Sequence, residues 1–220
     1  MIQAISLDFW GTIATFNPEY SRARTKLLAE AFGIPEAEAD ARYKAIKKAC
    51  DREAEEAGIA MTPLNAVERL VRGTSICPVE LLESLEQRAR ADPPLLHPEV
   101  TPLLREIKER GVVIGISSNT NFLAGRLVQS FFDIPWDFTV YSDELGVSKP
   151  SPHFFRTAAL RAARHTSLYS NAEVIHIGDN AICDFKGAQA VGMKAELVRN
   201  PDDTVSFLKA FTPECRYAAA

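Results

Sequence analysis

The chain has 220 residues, 46% of them hydrophobic and 25% charged, which excludes a largely disordered protein and leaves enough core to fold without a structural metal or disulfide. With 25 Lys and Arg against 29 Asp and Glu, the net charge of -4 argues against a dedicated nucleic-acid binder. The longest apolar run, near residues 112–116, is far short of the ~20 residues of a membrane span. The opening residues 1–8 lack the basic and long apolar segments of a secretory signal. Cys50, Cys77, Cys183 and Cys215 show no metal-type pairing, which suits a reducing compartment, and the expectation is a cytoplasmic protein without a membrane or nucleic-acid partner. The closing Ala218-Ala219-Ala220 carries no information.

Residues 4–9 read as a short buried strand ended by Gly11. From Asn17 to Leu96 the pattern predicts helices and no strand. Asn17 and Pro18 supply an N-cap and a first-turn proline, Leu27, Leu28, Ala31 and Phe32 follow at helical spacing, and Gly33 closes the segment. Pro35 opens a second helix reaching Ala57 and stopped by Gly58. Thr62-Pro63 and Cys77-Pro78 begin two more, with apolar faces at Leu64, Val67 and Val71, then Leu81, Leu82 and Leu85. Asp92-Pro93-Pro94 reads as a stop or linker. Beyond it helix and strand alternate: helix 98–110, strand 112–117, a helix through Leu123, Leu127 and Phe131, and strand 138–141. Helix 152–164, strand 173–177, helix 184–191 and strand 195–198 complete the series. Such alternation predicts an α/β fold, a parallel sheet with helices on both faces. Ligands in such sheets bind beyond the carboxyl ends of the strands, where strand order reverses.

Four polar signals sit at those strand ends. Asp8, in Leu7-Asp8-Phe9-Trp10-Gly11-Thr12, can attack an electrophile or bind a cation, or simply cap the turn. Ser117-Ser118-Asn119-Thr120-Asn121 offers hydroxyl, amide and backbone N–H groups that suit an oxyanion or plain helix capping. Lys149 stands between Ser148 and Pro150, with Pro152 stiffening the loop. Asp179 and Asp184 straddle a strand end and a turn, where both can meet one hard cation such as Mg²⁺.

In order and placement the four signals resemble the haloacid dehalogenase superfamily of hydrolases, whose best-populated branch is phosphatases, and the resemblance covers essentially the whole chain. It implies a Rossmann-like α/β core at residues 1–13 and 97–220, with an all-helical cap inserted at 14–96. It further implies an Mg²⁺-dependent phosphatase acting on a small phosphorylated metabolite, as a monomer or homodimer. Asp8 would be the nucleophile that becomes an aspartyl phosphate. Thr12 matches the hydroxylated residue closing the first motif. Ser118 would bind phosphate with the Asn119 backbone N–H, and Lys149 would offset the crowded negative charge. Asp8, Asp179, Asp184 and the main-chain carbonyl of Trp10 would hold Mg²⁺.

One position departs from that pattern. Phosphatases of the family carry a second aspartate two residues after the nucleophile, as general acid and base, and here Trp10 stands in its place. Indole has no proton to exchange near neutral pH. Esters with good leaving groups suffer less from the loss than alkyl phosphates do. An aromatic residue there resembles the metal-independent 2-haloacid dehalogenases, but the Asp179 and Asp184 pair points away from them. A catalytically weak or inactive binding protein is the other reading. Trp10 also favours a planar or apolar substrate portion. The basic residues of the cap, Arg22, Arg24, Lys26 and Arg42 among them, read as solvated helix faces of which one or two reach the cleft. His176, inside an apolar strand, reads as a packed core histidine.

Overall fold

The computed structural model describes residues 1–133, 136–168 and 170–211. Cys215 and Ala218 to Ala220 lie outside the described residues, and Cys50, Cys77 and Cys183 are free thiols. Five strands form one parallel sheet: β1 (Ala4–Leu7), β4 (Val113–Ser118), β5 (Phe138–Tyr141), β6 (Val174–Gly178) and β7 (Lys194–Leu197), in the order β5-β4-β1-β6-β7. The chain runs outward from β1 through β4 to β5, then returns to the other side of β1 for β6 and β7. Strand order therefore reverses at β1, and the residue that follows it, Asp8, sits at the switch point.

β1, β4 and β6 are buried throughout, so apolar residues are needed on both faces. Ile5, Leu7, Ile114, Ile116, Ile175 and Ile177 pack on one face against α5 (Val100–Glu109) and α10 (Pro201–Ala210). Ala4, Val113, Val140 and Val174 pack on the other against Phe154, Phe155 and Ala158 of α8 (Pro152–Ala162). Each fully buried Leu, Ile or Phe contributes about 1.5–3 kcal/mol, so this two-faced layer anchors the strand ends.

Between β1 and β4 the chain forms four helices: α1 (Pro18–Phe32), α2 (Glu36–Ala57), α3 (Pro63–Leu70) and α4 (Pro78–Ala91). They start where the sequence signals lie, with Asn17 Oδ1 accepting from Glu19 N and Thr62 Oγ1 from Asn65 N. They share a core of their own around Leu28, Tyr43, Val67, Leu70, Leu81 and Leu85. The expectation of no strand up to Leu96 is corrected. β2 (Ala14–Thr15) pairs antiparallel with β3 (Leu95–Leu96), so the two ends of the helical region meet in one short ribbon.

Other differences have local causes. The helix expected through Leu123, Leu127 and Phe131 is only α6 (Gly125–Gln129), because Phe122 turns away to pack on Tyr43 in the helical region's core. The helix expected over 184–191 begins instead as a π-helical turn, Ala181–Lys186, followed by α9 (Gly187–Gln189). α7 (Ser142–Leu145) and α10 were not expected. No helix among the described residues is long and apolar enough to cross a membrane.

Candidate active site

Asp8 continues the β1 line, its N–H donating to Ile177 O at 2.9 Å, and the chain then turns sharply at Gly11. Gly11 has φ of +71°, the left-handed region that favours glycine, and a Cβ there would lie 2.1 Å from Asp179 Oδ2. The turn thus needs a glycine twice over, for its backbone and for the approach of Asp179. Gly178 plays the same part for Asp184, whose Cγ would lie 2.2 Å from an added Cβ.

Asp184 is fixed by the π-helical turn. Asn180 Oδ1 accepts from the N–H groups of Ile182 and Cys183, both at 2.8 Å, while Asn180 N–H donates to Asp184 Oδ2 at 2.9 Å. These bonds bring carboxylate oxygens of Asp8, Asp179 and Asp184 within 4.8 Å of one another. Lys149 lies among them, 2% exposed, and donates from Nζ to Asp8 Oδ1 and Asp184 Oδ1 at 2.6 Å each and to Ser117 O at 3.1 Å. All three of its protons are used.

Burial, reinforced by the neighbouring Asp184 charge and only partly offset by Lys149, raises the Asp8 carboxyl from 3.8 to about 6. Burial works in the same direction on Asp184, but the Lys149 charge and the His176 hydrogen bond outweigh it and hold that carboxyl well below the usual range. Burial disfavours the Lys149 ammonium, yet Asp184 and Asp8 together hold it above the ordinary lysine range. Asp179 is raised, by burial and by the Asp184 charge. Three carboxylates thus crowd around one ammonium, a setting for a cation.

An implied Mg²⁺ fits this donor set, because three carboxylates converge and all the available ligands are hard oxygens. Asp8, Asp179 and Asp184 are the side chains that would hold it.

The cluster opens into a cavity of about 430 Å³ between the sheet's carboxyl edge and the helical region. Asp8, Trp10, Asn119, Lys149, Asp179 and Asp184 all reach its wall. Thr12 and Ser118 are not among the lining residues: both are buried, and neither hydroxyl has a hydrogen-bond partner. Successive side chains on a strand face opposite ways, so Ser117 Oγ meets Ser6 Oγ at 2.8 Å while Ser118 faces away. Of the basic residues in the helical region, only Lys47 lines the cavity among the described residues.

Two roles were not read from the sequence, that of the Asn119 side chain, whose backbone alone was given a part there, and that of His176. The Asn119 side chain clamps the backbone of Lys149, with Oδ1 accepting from Lys149 N at 2.9 Å and Nδ2 donating to Lys149 O at 3.2 Å. His176 is buried as expected, but its Nε2 lies 3.1 Å from Asp184 Oδ1 and its Nδ1 lies 3.0 Å from Ser6 Oγ. A polar residue inside the run Val-Ile-His-Ile was the available signal, since a buried imidazole needs partners.

Comparison with known proteins agrees with this geometry. The profile of the family described as haloacid dehalogenase-like hydrolase matches residues 2–192. The haloacid dehalogenase-like hydrolase domain-containing protein 3 of Mus musculus is 31% identical over 116 residues, 50% of this chain and 43% of that protein. The phosphoserine phosphatase of Thermus thermophilus is 28% identical over 118 residues, 53% of this chain and 45% of that one. The match therefore spans less than half the length of these curated relatives. The crystal structure of a 2-haloacid dehalogenase from Pseudomonas syringae superposes with a TM-score of 0.64 at 19% identity, covering 96% of this chain and 97% of that one. That likeness shows the fold alone.

Proposed function

Because the chain belongs to the haloacid dehalogenase-like hydrolase family, we propose that it is an Mg²⁺-dependent phosphatase that hydrolyses a small phosphorylated metabolite through an aspartyl phosphate on Asp8. The observation that carries the reading is the convergence of Asp8, Asp179 and Asp184 around the Lys149 ammonium. A dehalogenase working without metal has no use for that acidic trio. The phosphoserine phosphatase among the relatives supports the same choice.

An anionic nucleophile attacks an anionic ester only where positive charge offsets the repulsion. Bound Mg²⁺ supplies part of that charge next to the transferring phosphoryl group. Lys149 supplies the rest and holds Asp8 Oδ1 in place, leaving Oδ2 to attack phosphorus. The Asp8 oxygen–phosphorus bond forms as the bond from phosphorus to the ester oxygen breaks, and the departing alkoxide takes its proton from water, since Trp10 has none to give. Asp8 is then released by water, returning inorganic phosphate and the free carboxylate. The family resemblance assigns phosphate contact to Ser118 and the Asn119 backbone N–H, closure of the first motif to Thr12 and a main-chain metal ligand to the Trp10 carbonyl, and of these four residues Trp10 and Asn119 reach the cavity wall. The reading carries with it a cytoplasmic enzyme, monomeric or homodimeric.

Trp10 favours a second reading, a binding protein with weak or no turnover, because the cavity wall offers an indole where an acid is required. Release of inorganic phosphate from an activated aryl phosphate, with and without Mg²⁺, separates the two. Turnover that needs Mg²⁺ and vanishes in Asp8→Asn is the expected result. Release no faster than the folded Asp8→Asn protein would favour the binding role.

A further inference from the structure

We propose that the ester taken by this site has an apolar, aromatic alcohol portion carrying no second anionic group, a specificity that rests on the phosphatase reading. The cavity volume of about 430 Å³ suits a small organic ligand. Beside polar groups such as Asn17 and Asn121, its wall carries one aromatic and apolar stretch, to which both the sheet edge and the helical region contribute. Trp10 stacks on Phe16 with ring centroids 4.3 Å apart and planes 10° from parallel. Tyr43 meets Phe122 at 4.8 Å, and Met61 and Leu123 extend the apolar surface. A ring buried against that stretch gains area and aromatic contacts.

Charge narrows the choice further. Beyond the acidic trio the wall carries Asp51, Glu55 and Asp92. Its cations are Lys149, which is spent on Asp8 and Asp184, and Lys47, whose Nζ lies 2.6 Å from Asp51 Oδ2. Among the described residues the wall has no arginine or histidine. Arg24, the buried cation of the helical region, is absent from the wall: its guanidinium lies over the Tyr43 ring at 3.9 Å and bonds Asp40. Asp92 is paired with Arg88 Nε at 2.9 Å, so a second phosphate or carboxylate on the substrate would meet the Glu55 charge with no free cation opposite. One such like charge within several ångströms weakens binding by about three- to sixfold even under strong solvent screening. A neutral or cationic substituent escapes that penalty.

The test compares para-methylphenyl, para-aminomethylphenyl and para-carboxymethylphenyl phosphate, whose leaving groups have similar acidity, in the presence of Mg²⁺. The expected kcat/KM for the carboxymethyl ester is about threefold or more below the other two. The gap should narrow in Glu55→Gln. Phe16→Ala should lower kcat/KM for all three aryl esters by about three- to tenfold and for acetyl phosphate by less. Equal values for the three esters, or preference for the carboxymethyl one, would overturn the proposal. Calorimetric binding of the matching benzylphosphonates reads the same selectivity without turnover. If no ester is hydrolysed but the phosphonates still discriminate, the phosphatase reading fails and this specificity stands. Phosphonates that bind without discrimination, or not at all, overturn the specificity itself.

Discussion

Lys149 spends all three protons inside the fold, so its ammonium is an immobile part of the electrostatics rather than a mobile arm. The residue out of step with that arrangement is Trp10. A positioned general acid and base is worth about 10²–10⁴-fold, and the indole supplies none of it. Trp10→Asp should therefore raise kcat/KM for an alkyl phosphate by about 10²-fold or more, and for an aryl phosphate much less. Paired kinetics on the two ester types check this, and no gain on either would place the deficit elsewhere. Asp8 and Asp179 were legible in the sequence as charged residues just beyond apolar strands, Asp184 by its spacing from Asp179, and Lys149 through the family resemblance and the prolines around it. The Asn119 side-chain clamp and the part of His176 were not legible. Their roles depend on partners, Lys149 and Asp184, that only the folded chain brings into contact.

At the scale of elements, the strands follow the sequence pattern closely. Strand 138–141 is β5 itself, and the strand expected over 112–117 is β4 shifted by one residue. Apolar runs bounded by turns leave little room for another choice. β2 and β3 escaped notice because two-residue strands carry no period, and their pairing joins distant positions. α10 had readable signals: Asn200 caps it by accepting from Asp203 N, and Pro201 opens it, the same device that starts α1. The π-helical turn is the element on which the acidic cluster depends. Asn180→Ala removes its side-chain cap and should cost about 1 kcal/mol of stability. Mg²⁺ affinity should fall with it, because Asp184 is then less firmly placed. Thermal melts and Mg²⁺ calorimetry together test the point, and an unchanged affinity would show that Lys149 and His176 suffice to hold Asp184.

For the whole molecule, the acidic cluster links cation binding, pH and stability. Saturation with Mg²⁺ at a hundred times its Kd should add about 2.7 kcal/mol, which for a chain of this size is about 5–10 °C in Tm. The sign of the pH effect follows from Asp8, whose folded carboxyl is raised from 3.8 to about 6. Between those values the folded protein holds a proton that the unfolded chain has released, so the metal-free protein gains stability as pH falls through about 6. Mg²⁺ needs the ionised carboxylate, so its stabilising increment should shrink over the same interval, with Kd rising by about tenfold per pH unit. Melts with and without Mg²⁺ at several pH values check both trends, and an increment independent of pH would show that Asp8 is not a ligand. The ribbon of Ala14–Thr15 with Leu95–Leu96 has a consequence of another kind. Departure and return of the chain are pinned side by side, so to the parallel sheet the whole helical region is one hairpin excursion. The entropy of closing such an excursion grows only slowly with its length. The helical region is thereby packaged as a cassette whose length and surface can change while the sheet that carries Asp8 keeps its geometry.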